Sequence, residues 1–292
     1  MFSQILANGF AMGTCYALVA MGMSIIYGAV DLINFAQGEF LMVGAFIGLT
    51  TIVLWSFPLL VGFLISIPVL FILGYLMDKY FVRSLIRKGF TGHLPTVLLT
   101  LAFAITARNA AMLIWGSEAH PFPALFDNKV RNILGVMISP QTIIVSLISV
   151  SIMIAVILFL KFTKLGRAMI ATAYSRETAS LMGINIWFIG SVAFGLSFVV
   201  SGVSGILVAP QFTAQFDMGI LLGLKGFTAA ILGGLGNLYG AIIGGIILGM
   251  LEGLSAGFIS SVWKDGITFI LVIAFLLFKP KGILGKPGGG LF

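Results

Sequence analysis

What most constrains this chain is a succession of almost uninterrupted apolar runs, each about as long as a helix must be to cross a hydrocarbon layer. At 1.5 Å rise per residue, roughly 20 apolar residues span about 30 Å of lipid. Such runs recur near residues 5–28, 38–56, 57–78, 94–115, 139–161, 187–210, 219–236, 238–258 and 262–279. With 60% hydrophobic and 9% charged residues over 292 positions, too few polar groups remain to coat a soluble globule. The reading is an all-α polytopic membrane protein with about 8–9 transmembrane helices, forming a single transmembrane domain over residues 1–292. The second and third runs are parted only by Trp55, Ser56, Phe57 and Pro58, and the seventh and eighth only by the turn-forming pair Gly236 and Asn237. The first run has no basic region before it and no cleavage site after it, so it reads as a retained helix rather than a signal peptide.

Lys and Arg in short loops are retained on the cytoplasmic side, which turns the charge pattern into an orientation. Lys79, Arg83, Arg87 and Lys88, then Lys161, Lys164, Arg167 and Arg176, then Lys279, Lys281 and Lys286 fall on one face; the opposite loops hold Lys129, Arg131 and Lys264. The polar loop at about 162–186 is therefore expected inside. The 116–138 loop, with Glu118, His120, Pro121, Pro123 and Asp127, is expected outside. This parity puts the N-terminus outside and the C-terminus in the cytoplasm. The net charge of +7 does not point to nucleic acid, because the basic residues sit in short clusters between apolar runs rather than along one face. The single cysteine, Cys15, lies inside the first run, so no disulfide framework or cysteine metal site is expected.

Residues 163–187, TKLGRAMIATAYSRETASLMGINIW, are polar and helix-patterned between two apolar runs. Ser175 suits an N-cap, Glu177 falls in the first turn where negative charge favours the helix dipole, and Gly183 can supply the left-handed residue that ends a helix. A short helix from about Arg176 to Met182 follows. Its apolar Ala179, Leu181 and Met182 would let it lie in the membrane interface or enter a groove on a soluble partner.

Three stretches carry a resemblance to a known family. GTCYALVAMGMSIIYGAVDLINFAQGEFLMVGAF at 13–46 resembles the N-terminal signature of the branched-chain amino acid permeases of bacterial ABC importers. GRAMIATAYSRETASLMGI at 166–184 resembles their cytoplasmic coupling loop, and KGFTAAILGGLGNLYGAIIGGIILGMLE at 225–252 their glycine-rich C-terminal signature. The chain looks closest to the shorter, H-type permease subunit. The resemblance implies an ABC importer permease fold, akin to the compact type that imports cobalamin and iron chelates, in a bacterial inner membrane. It also implies a heterodimer with a second, homologous permease, two cytoplasmic ATPase subunits, an extracytoplasmic solute-binding protein, and leucine, isoleucine or valine as substrate. Related permeases that serve urea or short amides leave that substrate open. On this resemblance Gly166, Arg167, Ser175, Arg176, Glu177 and Gly183 belong to the segment that docks on an ATPase. The chain itself has no GxxxxGK[ST] phosphate loop, so nucleotide hydrolysis falls to another subunit.

Polar residues inside the apolar pattern mark candidate sites. Asp31, Asn34, Gln37 and Glu39 interrupt it in DLINFAQGEF, forming either a cytoplasmic turn or a broken helix lining a water-filled path, with Gln37 and Gly38 where backbone could unwind. Asn34, Gln37, Gly38 and Glu39 are thus the candidate translocation residues. Arg108, Lys225 and Glu252 lie within runs, each roughly 10 Å from the outer end. Lys225 and Glu252 are a candidate ion pair; the alternative is that Lys225 and Arg108 reach the outer interface independently. A path for a zwitterion with an aliphatic tail is expected to be apolar with few fixed charges. Small-xxx-small spacings at 236/240, 240/244 and 245/249 allow close helix packing, either ordinary bundle association or a sliding surface at a subunit interface.

Other classes fit poorly. GLSAG at 253–257 has the letters of a GxSxG nucleophile motif, but His93 and His120 lie in loops on opposite faces, and there is no HExxH. No catalytic residue, metal or cofactor is expected. An ion-coupled secondary transporter would work without ATPases, which distinguishes it.

Overall fold

The computed structural model describes residues 2–90, 92–123, 131–133 and 136–285; Asp127, Lys129 and Lys286 lie outside the described residues. Helix α1 (Phe2–Val30) is followed by an irregular stretch at 31–36, then α2 (Gln37–Gly48), which continues as a π-helical turn, Leu49–Leu54. Helix α3 (Leu59–Leu76) also runs into a π-turn, Met77–Val82, and then α4 (Arg83–Arg87). Next come α5 (His93–Trp115), a hairpin of β1 (Arg131–Ile133) and β2 (Val136–Ile138) paired antiparallel, α6 (Pro140–Phe162), α7 (Lys164–Tyr174), α8 (Arg176–Leu181), α9 (Ile186–Phe212), α10 (Met218–Gly233), α11 (Leu238–Phe258) and α12 (Lys264–Phe278).

Seven of the resulting helical stretches are long and apolar enough to cross a membrane. Helices α10 and α12 have 16 and 15 residues, about 24 and 22 Å at 1.5 Å per residue, short of a full hydrocarbon thickness. The third span differs from expectation at its end. Rather than stopping near residue 78 before a basic loop, the helix carries Lys79, Arg83 and Arg87 on its own continuation.

The bundle is built around α1 and α9, whose apolar windows are almost wholly buried. Helix α1 packs on α11, α9, α10 and α6, and α9 also packs on α2 and α3. Small residues make this possible. A Cβ on Gly13 would stand 2.9 Å from Ile246 backbone atoms, one on Gly245 would collide with the backbone of Ala17, and one on Gly244 with Ala229 O. The glycine stripe of α11 is therefore spent on α1 and α10 within this chain, where it acts as close packing between neighbouring helices.

One end of the bundle gathers most of the basic residues. There Arg176 Nη1 donates to Val30 O at 3.1 Å, Arg83 Nη2 donates to Trp187 O at 2.6 Å, and the 279–285 segment folds back so that Ile283 N donates to Leu232 O at 2.9 Å. Trp187 lies between Arg83 and Arg87, with guanidinium carbons 5.9 and 5.6 Å from its ring. At the other end, His120 and Ala214 form a backbone bridge, and His120 Nε2 is 2.6 Å from Trp115 O.

Candidate functional site

The stretch DLINFAQGEF folds back into the bundle. After α1 ends at Val30, the chain turns at Asp31, whose φ is +54°, passes through a second turn at 35–36 and starts α2 at Gln37. Asn34 shapes this turn: its Oδ1 accepts from Ala36 N at 3.1 Å and its Nδ2 donates to Gln37 Oε1 at 3.3 Å. Gln37 Nε2 donates to Val19 O at 3.4 Å, to Ser197 Oγ at 3.0 Å and to Ser201 Oγ. Val19 is eleven residues before the end of α1, roughly 16 Å along its axis, and Ser197 and Ser201 lie mid-way along α9. The stretch is a turn between α1 and α2 that also carries the start of α2 into the bundle, beside the middle of α1 and α9. The polar atoms of Gln37 and Asn34 satisfy one another and α9, as buried polar groups must.

Gly38 sits where α2 meets α10. A Cβ there would collide with Gly219 O and stand 2.9 Å from Gly223 Cα, so the two backbones touch through three glycines. Next to it Glu39, buried, pairs with Arg108 of α5 through Oε1 and Nη2 at 2.8 Å. Arg108 therefore neither reaches the interface alone nor joins Lys225 and Glu252. Residues of α2, α5 and α10 enclose a cavity of about 270 Å³ lined by Gln37, Gly38, Glu39 and Arg108 together with apolar side chains such as Leu101 and Phe227.

Lys225 Nζ lies 2.8 Å from Glu252 Oε1, and its side chain is only 3% exposed, so it does not reach for the interface. The pair is part of a larger group. Asp265 Oδ1 is also 2.8 Å from Lys225 Nζ, Lys264 Nζ is 3.0 Å from Glu252 Oε1, and Tyr16 Oη donates to Glu252 Oε2 at 2.8 Å. Two cations and two anions from α10, α11 and α12 thus balance around a tyrosine of α1. Sequence reasoning missed Asp265, Lys264 and Tyr16, as well as Asp78, which is buried and linked to Arg83 and Ser191. One signal was available for Asp78: an acid in an apolar run five residues before a base.

The polar loop is two helices rather than one. Thr163 caps α7, accepting from Gly166 N at 2.9 Å, and Ser175 caps α8, accepting from Thr178 N at 3.2 Å. Gly166 is pressed against Phe159 O and Leu160, which allows α7 to fold back on α6. Gly183 ends α8 at φ +83°, and Asn185 caps α9. Arg167 and Glu177 are exposed. Ala179 is buried against the protein, which removes it from the apolar face expected there; Leu181 and Met182 are 83% and 80% exposed. Ser255 of GLSAG lies within α11, not on a strand-to-helix turn, and among the described residues no cluster of His, Cys, Asp or Glu is placed to hold a metal.

A family profile described as "Branched-chain amino acid transport system / permease component" matches residues 5–276. The high-affinity branched-chain amino acid transport system permease protein BraD of Pseudomonas aeruginosa is 34% identical over 299 residues, covering 98% of this chain and 96% of the relative. The corresponding LivH protein of Escherichia coli K12 is 32% identical over 300 residues, covering 98% and 96%. Among solved structures, PsaBC from Streptococcus pneumoniae in complex with Fab shares the fold at a TM-score of 0.52 and 12% identity, covering 97% of this chain and 92% of that one. A profile match over nearly the whole length, joined to relatives above 30% identity, shows that this chain belongs to the permease components of branched-chain amino acid transport systems.

Proposed function

We propose that the chain is the membrane-spanning permease subunit of an ATP-driven importer of leucine, isoleucine and valine. The observation that carries this reading is the family match over residues 5–276. The substrate is taken from the relatives, which are permeases of branched-chain amino acid transport systems. ATP is hydrolysed by separate subunits, in keeping with the missing phosphate loop. In this reading two cytoplasmic ATPases drive the cycle, an extracytoplasmic binding protein delivers the amino acid, and a second, homologous permease completes the passage.

Geometry supports the division of labour. Leu181 and Met182 form an exposed apolar tip on α8, suited to a groove on a soluble ATPase. Helix α8 is tied to α1 through Arg176 and Val30 O and leads through Gly183 into α9, the buried axis of the bundle. A push on that tip reaches the two central helices directly, as a rigid handle requires. Gly166, Arg167, Ser175, Arg176, Glu177 and Gly183 are the residues of that handle. Asn34, Gln37, Gly38 and Glu39 line the path, where α2 starts inside the bundle. The cavity beside the buried Glu39–Arg108 pair lies between α2, α5 and α10, and a charged pair at membrane depth belongs against a partner or a water-filled cavity rather than lipid. That supports a second permease there. The basic end is cytoplasmic, the N-terminus outside and the C-terminus inside; α10 and α12 complete nine crossings.

The test is reconstitution of the chain with its partner permease, both ATPases and the binding protein in liposomes. ATP-dependent uptake of labelled leucine is expected, and cysteines replacing Leu181 or Met182 should crosslink to an ATPase. Uptake of urea with none of leucine would overturn the substrate, and crosslinks to lipid alone would overturn the handle.

A further inference from the structure

The cavity between α2, α5 and α10 brings two chemistries together. On one side stand Glu39 and Arg108, joined through a single oxygen and a single nitrogen. Glu39 Oε2 is buried and has no hydrogen-bond partner among the described residues, and Arg108 Nε is likewise unpartnered among them. Glu39 Oε2 faces Gly219 of the opposite helix, close enough that a Cβ there would stand 3.0 Å from it. Gly219, which has no side chain, packs directly beside that oxygen. The other walls are apolar, with Leu101, Ile105, Leu224 and Phe227. A buried carboxylate oxygen left unpaired lowers stability, and ionisable groups at membrane depth are usually retained for function.

We infer that this cavity is a weak subsite for an α-amino acid zwitterion: Glu39 Oε2 takes the ammonium, the free edge of the Arg108 guanidinium takes the carboxylate, and the apolar wall takes the aliphatic side chain. The inference rests on the amino acid permease reading above and adds the residues that recognise the substrate inside the membrane. Its size agrees. At about 270 Å³ the cavity is just below the usual range for drug-sized ligands, which suits a single amino acid. A neutral amide can hydrogen-bond to both groups but brings no charge to balance either. An apolar path with few fixed charges is the simplest way to avoid trapping a zwitterion, and this pair reaches the same end differently. Because Glu39 and Arg108 already neutralise each other, the arriving substrate shares charges that are satisfied in part. Each contact is charge-assisted and directional, yet the gain over the empty pair is small, so release stays fast.

The test is competition against labelled leucine on the assembled complex in nanodiscs with the binding protein omitted. The competitors are 4-methylpentanoate, which keeps the carboxylate only, and 3-methylbutylamine, which keeps the ammonium only. Wild type should prefer leucine over either by at least about tenfold, the scale of one charge-assisted contact. Glu39→Gln should weaken leucine but not 4-methylpentanoate, and Arg108→Gln should weaken leucine but not the amine. Leu101→Trp, which leaves the ion pair intact, should shift preference from leucine toward alanine and keeps the test decisive if the charge variants do not assemble. Equal competition by all three ligands overturns the subsite, as do variants that keep the leucine preference, or absence of receptor-free binding in a complex that transports leucine. Failure of the wild-type complex to take up any branched-chain amino acid with its binding protein overturns the permease reading instead.

Discussion

At Gly38 a single hydrogen in place of a side chain sets the distance between two helices. Its backbone touches Gly219 and Gly223, so any larger residue must push α2 from α10 and open the cavity between them. Gly38→Leu is expected to destabilise the protein by about 1–3 kcal/mol, the usual cost of overpacking, and to abolish uptake; thermal unfolding in detergent beside a transport assay would check both. The Lys225 group is governed by charge balance. Glu252→Gln leaves Lys225 with Asp265 and takes from Lys264 its carboxylate partner, an imbalance expected to cost less than the roughly 3–5 kcal/mol of a wholly stripped buried charge. Lys225→Met together with Glu252→Met removes one charge of each sign and should recover most of that loss. If the double variant unfolds no later than the worse single one, the ions are not coupled.

Among the elements, the short helices between α6 and α9 carry the most local information. Gly183 adopts φ +83°, where a β-branched residue is strained, so Gly183→Val should destabilise the end of α8 by about 1–2 kcal/mol. Ser175→Ala removes the cap and should cost about 1 kcal/mol. Both are expected to reduce uptake more than folding, measured as transport per assembled complex against its melting temperature. The cap at Ser175 and the stop at Gly183 were legible because both are local chemistry. The start of α7 at Thr163 has the same signal in its hydroxyl. The burial of Ala179 was not legible, since it depends on what lies across from α8. Likewise the sequence around residues 31–40 shows that the apolar pattern breaks, but that Gln37 reaches Ser197 and Ser201 is a contact across 160 residues. Apolar runs were read correctly as helices, while the continuation through Lys79 and Arg83 was hidden because positive residues at a span end look like a loop.

For the whole molecule, the arrangement predicts dependence on others. The chain reconstituted alone in liposomes should show no leucine uptake under a proton or sodium gradient, measured with labelled substrate; gradient-driven uptake would mark it as a self-sufficient transporter instead. The pairing of Lys225 with Glu252 was legible, because charged residues in lipid must find counterparts; that Arg108 finds Glu39 was not, since that contact depends on how α2 and α5 meet in the bundle. The centre of that bundle has a further consequence. Helix α1 is enclosed chiefly by α9, α10 and α11, elements made after most of the chain has been synthesised. During biogenesis it must wait in the bilayer with its glycine faces bare until those late arrivals close around it. A nascent chain cut short before α11 is therefore left with an orphaned first helix, the kind of exposed intermediate that membrane proteases remove.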